Sequence, residues 1–335
     1  MMFKSKKMQA LAAGVMLTLA LGIVGCGGDD KKAAAPKDAK VKVGIVQLVE
    51  HPALDAANKG FVEGMKQKGY EEGKNVAYDR QNAQADQSNL QNISQRFLSN
   101  KVNLIYAIAT PAAQTVANAT KDIPIVGSAI TDYKAAKLVK DNAKPGTNVT
   151  GTTDMNPIAE QLDLLVKLVP NAKNVGTIYC SSEVNSQLQV SILKEAAKKK
   201  NIAIKEATVS TVNDIQQAAR SLVGKVDALY IPTDNILASA MPTLIIVTDE
   251  AKLPVICGES NMVKAGGLAT LGVDYYNLGV QSGHMAAAIL AGKSKPADMA
   301  IQAQKDFKAV VNMKNANKLG VKIPEDILKT AEVLK

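Results

Sequence analysis

From residue 41 onward, short apolar runs alternate with longer segments of helical spacing. Val41 to Val49 is a β-rich run, and Pro52 to Gly69 after it carries Leu54, Phe61 and Met65 at helical intervals. Asn75 to Arg80 reads as a second strand and Ser88 to Ser99 as a second helix. Val102 to Ala109 reads as a buried strand, Pro111 opens a helix that runs to Ala119, and Ile123 to Ser128 is a further strand. The rhythm restarts at Asn174. Strands are expected over 175–179, 204–209, 228–231, 255–258 and 268–273, with helices over 185–200, 215–222, 238–250 and 278–290.

Such alternation implies parallel sheets with helices on both faces, and its repetition implies two doubly wound α/β lobes. Thr147 to Pro157 has no helical period and reads as the connection between them. The chain is expected to cross back after Val273, because the helix at 278–290 and a strand near 299–305 are needed to finish the first lobe. The N-terminal lobe is therefore assigned to 41–150 plus 275–303, and the C-terminal lobe to 151–274 plus 304–335. Several crossings make a hinge with a cleft, and ligands in such sheets bind beyond the carboxyl ends of the strands.

Residues 1–25 have a different character. Lys4, Lys6 and Lys7 precede an apolar run from Ala10 to Val24, too short for a spanning helix and typical of a secretory signal. The run ends Ile23-Val24-Gly25-Cys26, which resembles a bacterial lipobox, so Cys26 is the expected lipidation site. Residues 26–40 then hold the lipidated Cys and a polar, small-residue tether. The expected location of the body is extracytoplasmic, beside the membrane that holds the lipid.

Composition narrows the function. The formal net charge is +9, but only Arg80, Arg96 and Arg220 among the 40 basic residues are arginine, whereas phosphate forks and base readout favour Arg. The charge is read as a solvated basic surface with no nucleic-acid partner. Two His and three Cys leave little for a metal site or a triad, and no metal or cofactor is expected. Cys180 and Cys257 read as core thiols rather than a bridge. No GxSxG elbow, P-loop or HExxH is present, nor a GxGxxG after the first strand.

The predicted strand ends carry hydroxyls, amides and carboxylates, several at helix starts. Helix N-termini suit an anion, so Thr110 and Ser182 are candidates for a ligand carboxylate. Asp234, Glu259 and Asp274 are candidates for an ammonium, and the pair of roles describes recognition of a zwitterion. For any one of them, N-capping is the competing role. His51 is read as ligand-lining or structural, and as a base only if a partner lies within reach; His284 is read as structural.

The segments VGIVQLVEHPALDAANKGF, IYAIATPAAQ, GTTDM, YCSSEVNSQ, YIPTDN and GGLATLGVDYYNLG resemble the tryptophan/tyrosine-type ABC substrate-binding family. The resemblance spans 41–335. It implies a type I periplasmic-binding fold, a binding protein rather than an enzyme, and a monomer. It also implies capture of a small molecule, an aromatic amino acid foremost, for delivery to a permease driven by a separate ATPase. Carried onto this sequence, it marks His51, Thr110, Thr131, Asp132, Ser182, Glu183, Asn185, Asp234, Asn235, Glu259 and Asp274 as cleft positions. With no Trp, stacking falls to Tyr133, Tyr179 or Tyr275, or to aliphatic walls. A branched-chain amino acid, a nucleoside or nucleobase, and a role as a membrane-anchored sensor remain the alternatives.

Overall fold

The computed structural model describes residues 40–335; the leader, Cys26 and the rest of the tether lie outside them. The first sheet is built from β1 (Val41–Gln47), β2 (Val76–Asn82), β3 (Leu104–Ile108), β4 (Ile125–Ile130) and β5 (Val149–Thr153). Between these strands run α1 (Pro52–Gln67), α2 (Gln87–Ser99) and α3 (Thr110–Ala119). The second half begins with α4 (Ile158–Leu168), then β6 (Asn174–Cys180), α5 (Val184–Lys198), β7 (Ala203–Val209), α6 (Ile215–Leu222) and β8 (Ala228–Ile231). There follow α7 (Asn235–Ser239), α8 (Met241–Glu250), β9 (Val255–Cys257), α9 (Ser260–Lys264) and β10 (Ala269–Gly272). The chain then forms α10 (Tyr275–Leu290), β11 (Gln302–Ala303), β12 (Lys308–Asn312), α11 (Met313–Leu319), α12 (Glu325–Leu328) and β13 (Glu332–Leu334).

The two sheets share one plan. Their orders are β11-β5-β4-β3-β1-β2 and β13-β12-β10-β9-β8-β6-β7, so the first five strands of each half follow the same doubly wound path. In each, the order reverses beside the first strand, between β1 and β3 and between β6 and β8. Those switch points are where strand ends and helix starts diverge to leave a crevice. The central strands β3 and β4 are buried at every position, as strands covered on both faces must be. Among the described residues the one departure from parallel pairing is β12, which runs antiparallel to β10.

Thr147–Pro157 is not wholly a connector. Val149–Thr153 forms β5, paired parallel to β4, so the first sheet extends past the boundary expected at residue 150. Its Thr-rich run lacks bulky apolar residues, yet Val149, Thr150, Gly151 and Thr152 are all buried. Thr152 explains why: its hydroxyl meets those of Ser128 and Ser282 at 3.1 and 3.0 Å. Helix α4, β12 and the elements after it were not legible in the pattern. The expected helix at 238–250 is two, α7 and α8, separated at Ala240 just before Pro242.

α10 follows β10 of the second sheet but packs on the first lobe. Gly60 and Gly64 of α1 face the α10 backbone, and Gly279 and Gly283 of α10 face that of α1. A Cβ on Gly60 would stand 2.0 Å from the Tyr276 carbonyl oxygen. Only hydrogens fit there, and this close approach fixes where α10 begins and therefore where Tyr275 stands.

Candidate functional site

The C-terminal ends of the two sheets face each other across a small, tightly closed pocket. His51, Leu54 and Ala129 line it from the first lobe; Thr233, Asp234, Asn235, Ala238, Glu259 and Met262 line it from the second. Asp154 and Tyr275 line it from the crossings. Two hydrogen bonds span the halves. His51 Nε2 meets Asn235 Oδ1 at 3.4 Å, and Gln189 Nε2 donates to Thr131 Oγ1 at 3.2 Å.

Three of the lining groups are buried carboxylates, and burial raises the pKa of Asp154, Asp234 and Glu259 alike. Two of them have other work. Asp234 caps α7, accepting from the N–H of Leu237 at 2.9 Å, and also takes Cys180 N–H and Ser186 Oγ. Glu259 caps α9, accepting from Asn261 N, Asn261 Nδ2 and Met262 N. Their charges sit on helix N-termini, where the local field already favours them. Asp154 sits on no helix. Among the described residues its side-chain donors are only the hydroxyls of Tyr275 (2.7 Å) and Thr131 (3.2 Å), so it keeps open lone pairs at the pocket wall. His51 supplies no compensating charge: burial pulls its pKa down to about 4, against weaker upward effects of the Asn235 contact and Asp55.

The first lobe offers the opposite chemistry. β3 lies between β4 and β1, which puts the start of α3 between Ala129 and His51. No side chain caps α3, and its cap residue Ala109 has φ 86° and ψ 151°, a region that favours glycine. Thr110 is 1% exposed, yet its hydroxyl finds no partner among the described residues. Ala129, on the cavity wall, is also held at positive φ (56°).

A third group joins the two. Glu183, at the start of α5, accepts from Asn185 Nδ2 (3.0 Å), Asn235 Nδ2 (2.6 Å) and Asn235 N–H (3.2 Å), all on one oxygen. Burial first, and then the neighbouring Asp234 charge, push its pKa up to about 8.

Not every expected residue faces the cavity. Asp132 accepts from Ala135 N–H in the turn after β4, and Asp274 caps α10 by accepting from Asn277. Neither lines the cavity. Ser182 is exposed, and its hydroxyl lies 3.2 Å from Cys180 Sγ. Tyr133 is buried in the first core with its hydroxyl on Thr152 O, and Tyr179 bonds Glu206, so Tyr275 is the aromatic wall. The reading missed Asp154, Gln189, Thr233 and Met262. Asp154 ends a run whose threonines disguise a strand. Cys180 and Cys257 are buried and unpaired, on strands separated by β8.

Residues 42–335 match the family described as ABC transporter substrate binding protein. The chain belongs to that family. It is 46% identical over 299 residues to a tyrosine-binding protein of Clostridioides difficile, covering 88% of this chain and 86% of the relative. Among solved structures, the ABC domain in complex with L-Trp from Streptococcus pneumonia is similar at 40% identity and a TM-score of 0.86. That match covers 89% of this chain and all of that one. The ligand-free, open structure of a substrate-binding protein with adhesive properties from Clostridium difficile is similar at 45% identity. There the TM-score is 0.68, with 88% and 99% of the chains covered. The architecture is the type I periplasmic-binding fold, and these relatives are substrate-binding proteins rather than enzymes. No helix among the described residues is long and apolar enough to cross a membrane.

Proposed function

We propose that this substrate-binding protein captures a zwitterionic amino acid, best an aromatic one, by closing its lobes, and delivers it to the permease of an ABC importer. One observation supports the reading: Asp154, a buried pocket-lining carboxylate with no cation partner among the described residues, stands at the same strand-end side of the first sheet as the uncapped start of α3, where the Thr110 hydroxyl is buried and unpartnered, although Thr110 is not itself a lining residue. An α-ammonium complements the first and an α-carboxylate the second. Asp154 thereby takes the role that the sequence suggested for Asp234 and Glu259, whose lone pairs serve caps. Leu54, Ala238, Met262 and Tyr275 supply the apolar wall for a ring.

Closure has support of two kinds. The chain fits the complex with L-Trp far better than the open, ligand-free relative of higher identity, and hydrogen bonds already join the lobes. A ligand contacting both lobes favours the closed state by its differential affinity for it. The three chain crossings, at 154–157, 273–274 and 304–307, are the hinge. A lipid on Cys26 and the tether would hold this monomer at the extracytoplasmic face of its membrane, within reach of the permease.

The test is a thermal shift of the purified chain against the amino acids and nucleosides. A ligand at a hundredfold excess over Kd stabilises the native state by about 2.7 kcal/mol. A shift with tyrosine, tryptophan or phenylalanine is expected. A shift confined to nucleosides, or to no amino acid, contradicts the reading.

A further inference from the structure

The contact between the lobes is built around one acid. Glu183 stands at the start of α5 with 3% exposure, and its neighbour Val184 packs against the apolar core of the first lobe. Leu48 and Pro111 of the first lobe line the same groove as Cys180 and Glu183 of the second. Asn235 gives Glu183 both its backbone N–H and its side-chain Nδ2, and its Oδ1 meets His51 Nε2 of the first lobe at 3.4 Å. Glu183 is thus one residue removed from a bond that joins the halves.

Its hydrogen bonds are lopsided. Glu183 Oε2 takes three donors, Asn185 Nδ2, Asn235 Nδ2 and Asn235 N–H, whereas Oε1 is buried with none among the described residues. Two more buried atoms of the cluster lack partners there, Asn185 Oδ1 and His51 Nδ1. Asn235 Oδ1 can only accept, which puts the His51 ring proton on Nε2 and leaves Nδ1 an acceptor. With Glu183 ionised, the cluster therefore holds three bare acceptors and no spare donor. One proton on Oε1 supplies a donor and removes an uncompensated buried charge. The surrounding groups offer no cation instead. Asp234 beyond β8 is a second carboxylate, burial keeps the Cys180 thiol neutral, and His51 is neutral above about pH 4, with Asp55 acting on His51. Lys121 and Lys137 line the same groove, yet no ion pair joins either to Glu183 among the described residues. Burial first, and Asp234 second, accordingly raise the Glu183 pKa to about 8. Asp234 keeps the charge of the pair, because Cys180 N–H, Leu237 N–H and Ser186 Oγ donate to it.

We propose that Glu183 is a proton-binding site set in the lobe contact, ionised when the lobes are apart and protonated when they close, so that capture of the ligand takes up a proton. The inference rests on capture by lobe closure as read above and adds a control to it. Parting the lobes withdraws His51, Leu48 and Pro111 and lets water reach Glu183, which favours the ionised form; closing expels that water and favours the neutral one. Between the ordinary carboxylate value of 4.5 and about pH 8 the closed state holds the extra proton, so affinity declines as pH rises. His51 works the other way below 6.5, where the open state charges it and closure strips the charge. From 6.5 to 8 Glu183 acts without that opposition: a falling pH holds the ligand and a rising pH releases it.

Calorimetric titration of the purified chain with L-tyrosine at about pH 7.5, in phosphate and in Tris, tests this. The two buffers differ widely in ionisation enthalpy, so the difference in observed heat counts the protons taken up. Uptake of about half a proton or more per tyrosine is expected in wild type, with Kd rising about tenfold between pH 6.5 and 8.5. Glu183→Gln keeps an oxygen for Asn185 and Asn235 and cannot ionise; it should bind tyrosine with no uptake and a flat pH profile. Wild-type binding without proton uptake overturns the proton site and leaves capture standing, as does uptake that persists in Glu183→Gln. Binding of neither tyrosine nor tryptophan overturns both. If the variant fails to fold, the infrared difference spectrum of wild type decides in its place. A protonated-carboxyl band that grows as tyrosine is added is expected, and its absence overturns the proton site.

Discussion

The helix starts around the cleft fall into two groups. α7, α9 and α10 are capped by Asp234, Glu259 and Asp274, whose carboxylates bond the first-turn N–H groups. α1 and α3 of the first lobe have no side-chain cap; both carry Pro in the first turn, and α3 is entered through a strained alanine. A capped terminus has its electrostatics closed within the protein. An uncapped terminus beside a cavity keeps partial positive charge for something else. A carboxylate at such a helix start thus marks structure, and its lack at α1 and α3 leaves the terminus open; the division does not follow the lobes, since Asp86 caps α2 in the first and α5 in the second has no side-chain cap. Asp154 sharpens the contrast, because it is the lining carboxylate that caps nothing.

The largest effect expected from this division is on stability. Asp234→Ala strips acceptors from Cys180 N–H, Ser186 and Leu237 N–H in a buried setting, and should cost roughly 3 kcal/mol. Urea unfolding would read it. A variant as stable as wild type would move Asp234 out of the structural group. Next is Asp154→Asn, which keeps an oxygen for Tyr275 and removes the charge. Ligand affinity should fall about a hundredfold while the melting temperature without ligand holds. A smaller loss, about tenfold, is expected for Thr110→Val, with no drop in ligand-free melting temperature, since the lost hydroxyl had no partner. If Thr110→Val binds as wild type does, the carboxylate lies elsewhere.

The smallest effect is on the pH profile. Glu183 holds its proton to about pH 8 when folded and loses it near the ordinary carboxylate value of 4.5 when unfolded. Across that window the native state binds more protons, so this group's stabilisation declines as pH rises. His51 acts in the opposite sense. Folded it is neutral down to about pH 4, unfolded it charges below 6.5, so its contribution declines as pH falls from 6.5 toward 4. The two oppose each other between 4.5 and 6.5. From 6.5 to 8 Glu183 acts without that opposition, and melting temperature should decline there in wild type and flatten in Glu183→Gln.

Much of the fold was legible because buried parallel strands leave unbroken apolar runs such as LIYAI and IVGSAI, with helices of clear period between them. β5 was not, because VTGTT holds its place with hydroxyls bonded to Ser128 and Ser282 rather than with bulk. The strand ends pointed to the side of the sheets that carries the small pocket. They could not separate Asp234 from Asp154, since both are an Asp after a strand, and only the hydrogen bonds tell a cap from an open carboxylate. His51 needed the second lobe to acquire meaning, as its partner Asn235 lies 184 positions away.

The most direct test of the account is calorimetric titration of the purified chain with L-tyrosine and, separately, with tyramine, which lacks the α-carboxylate. Tight binding of tyrosine with loss of at least about a hundredfold for tyramine is predicted, because the α3 terminus would face nothing. Equal binding of the two would contradict the pairing of Asp154 with an uncapped helix start on which the whole reading stands.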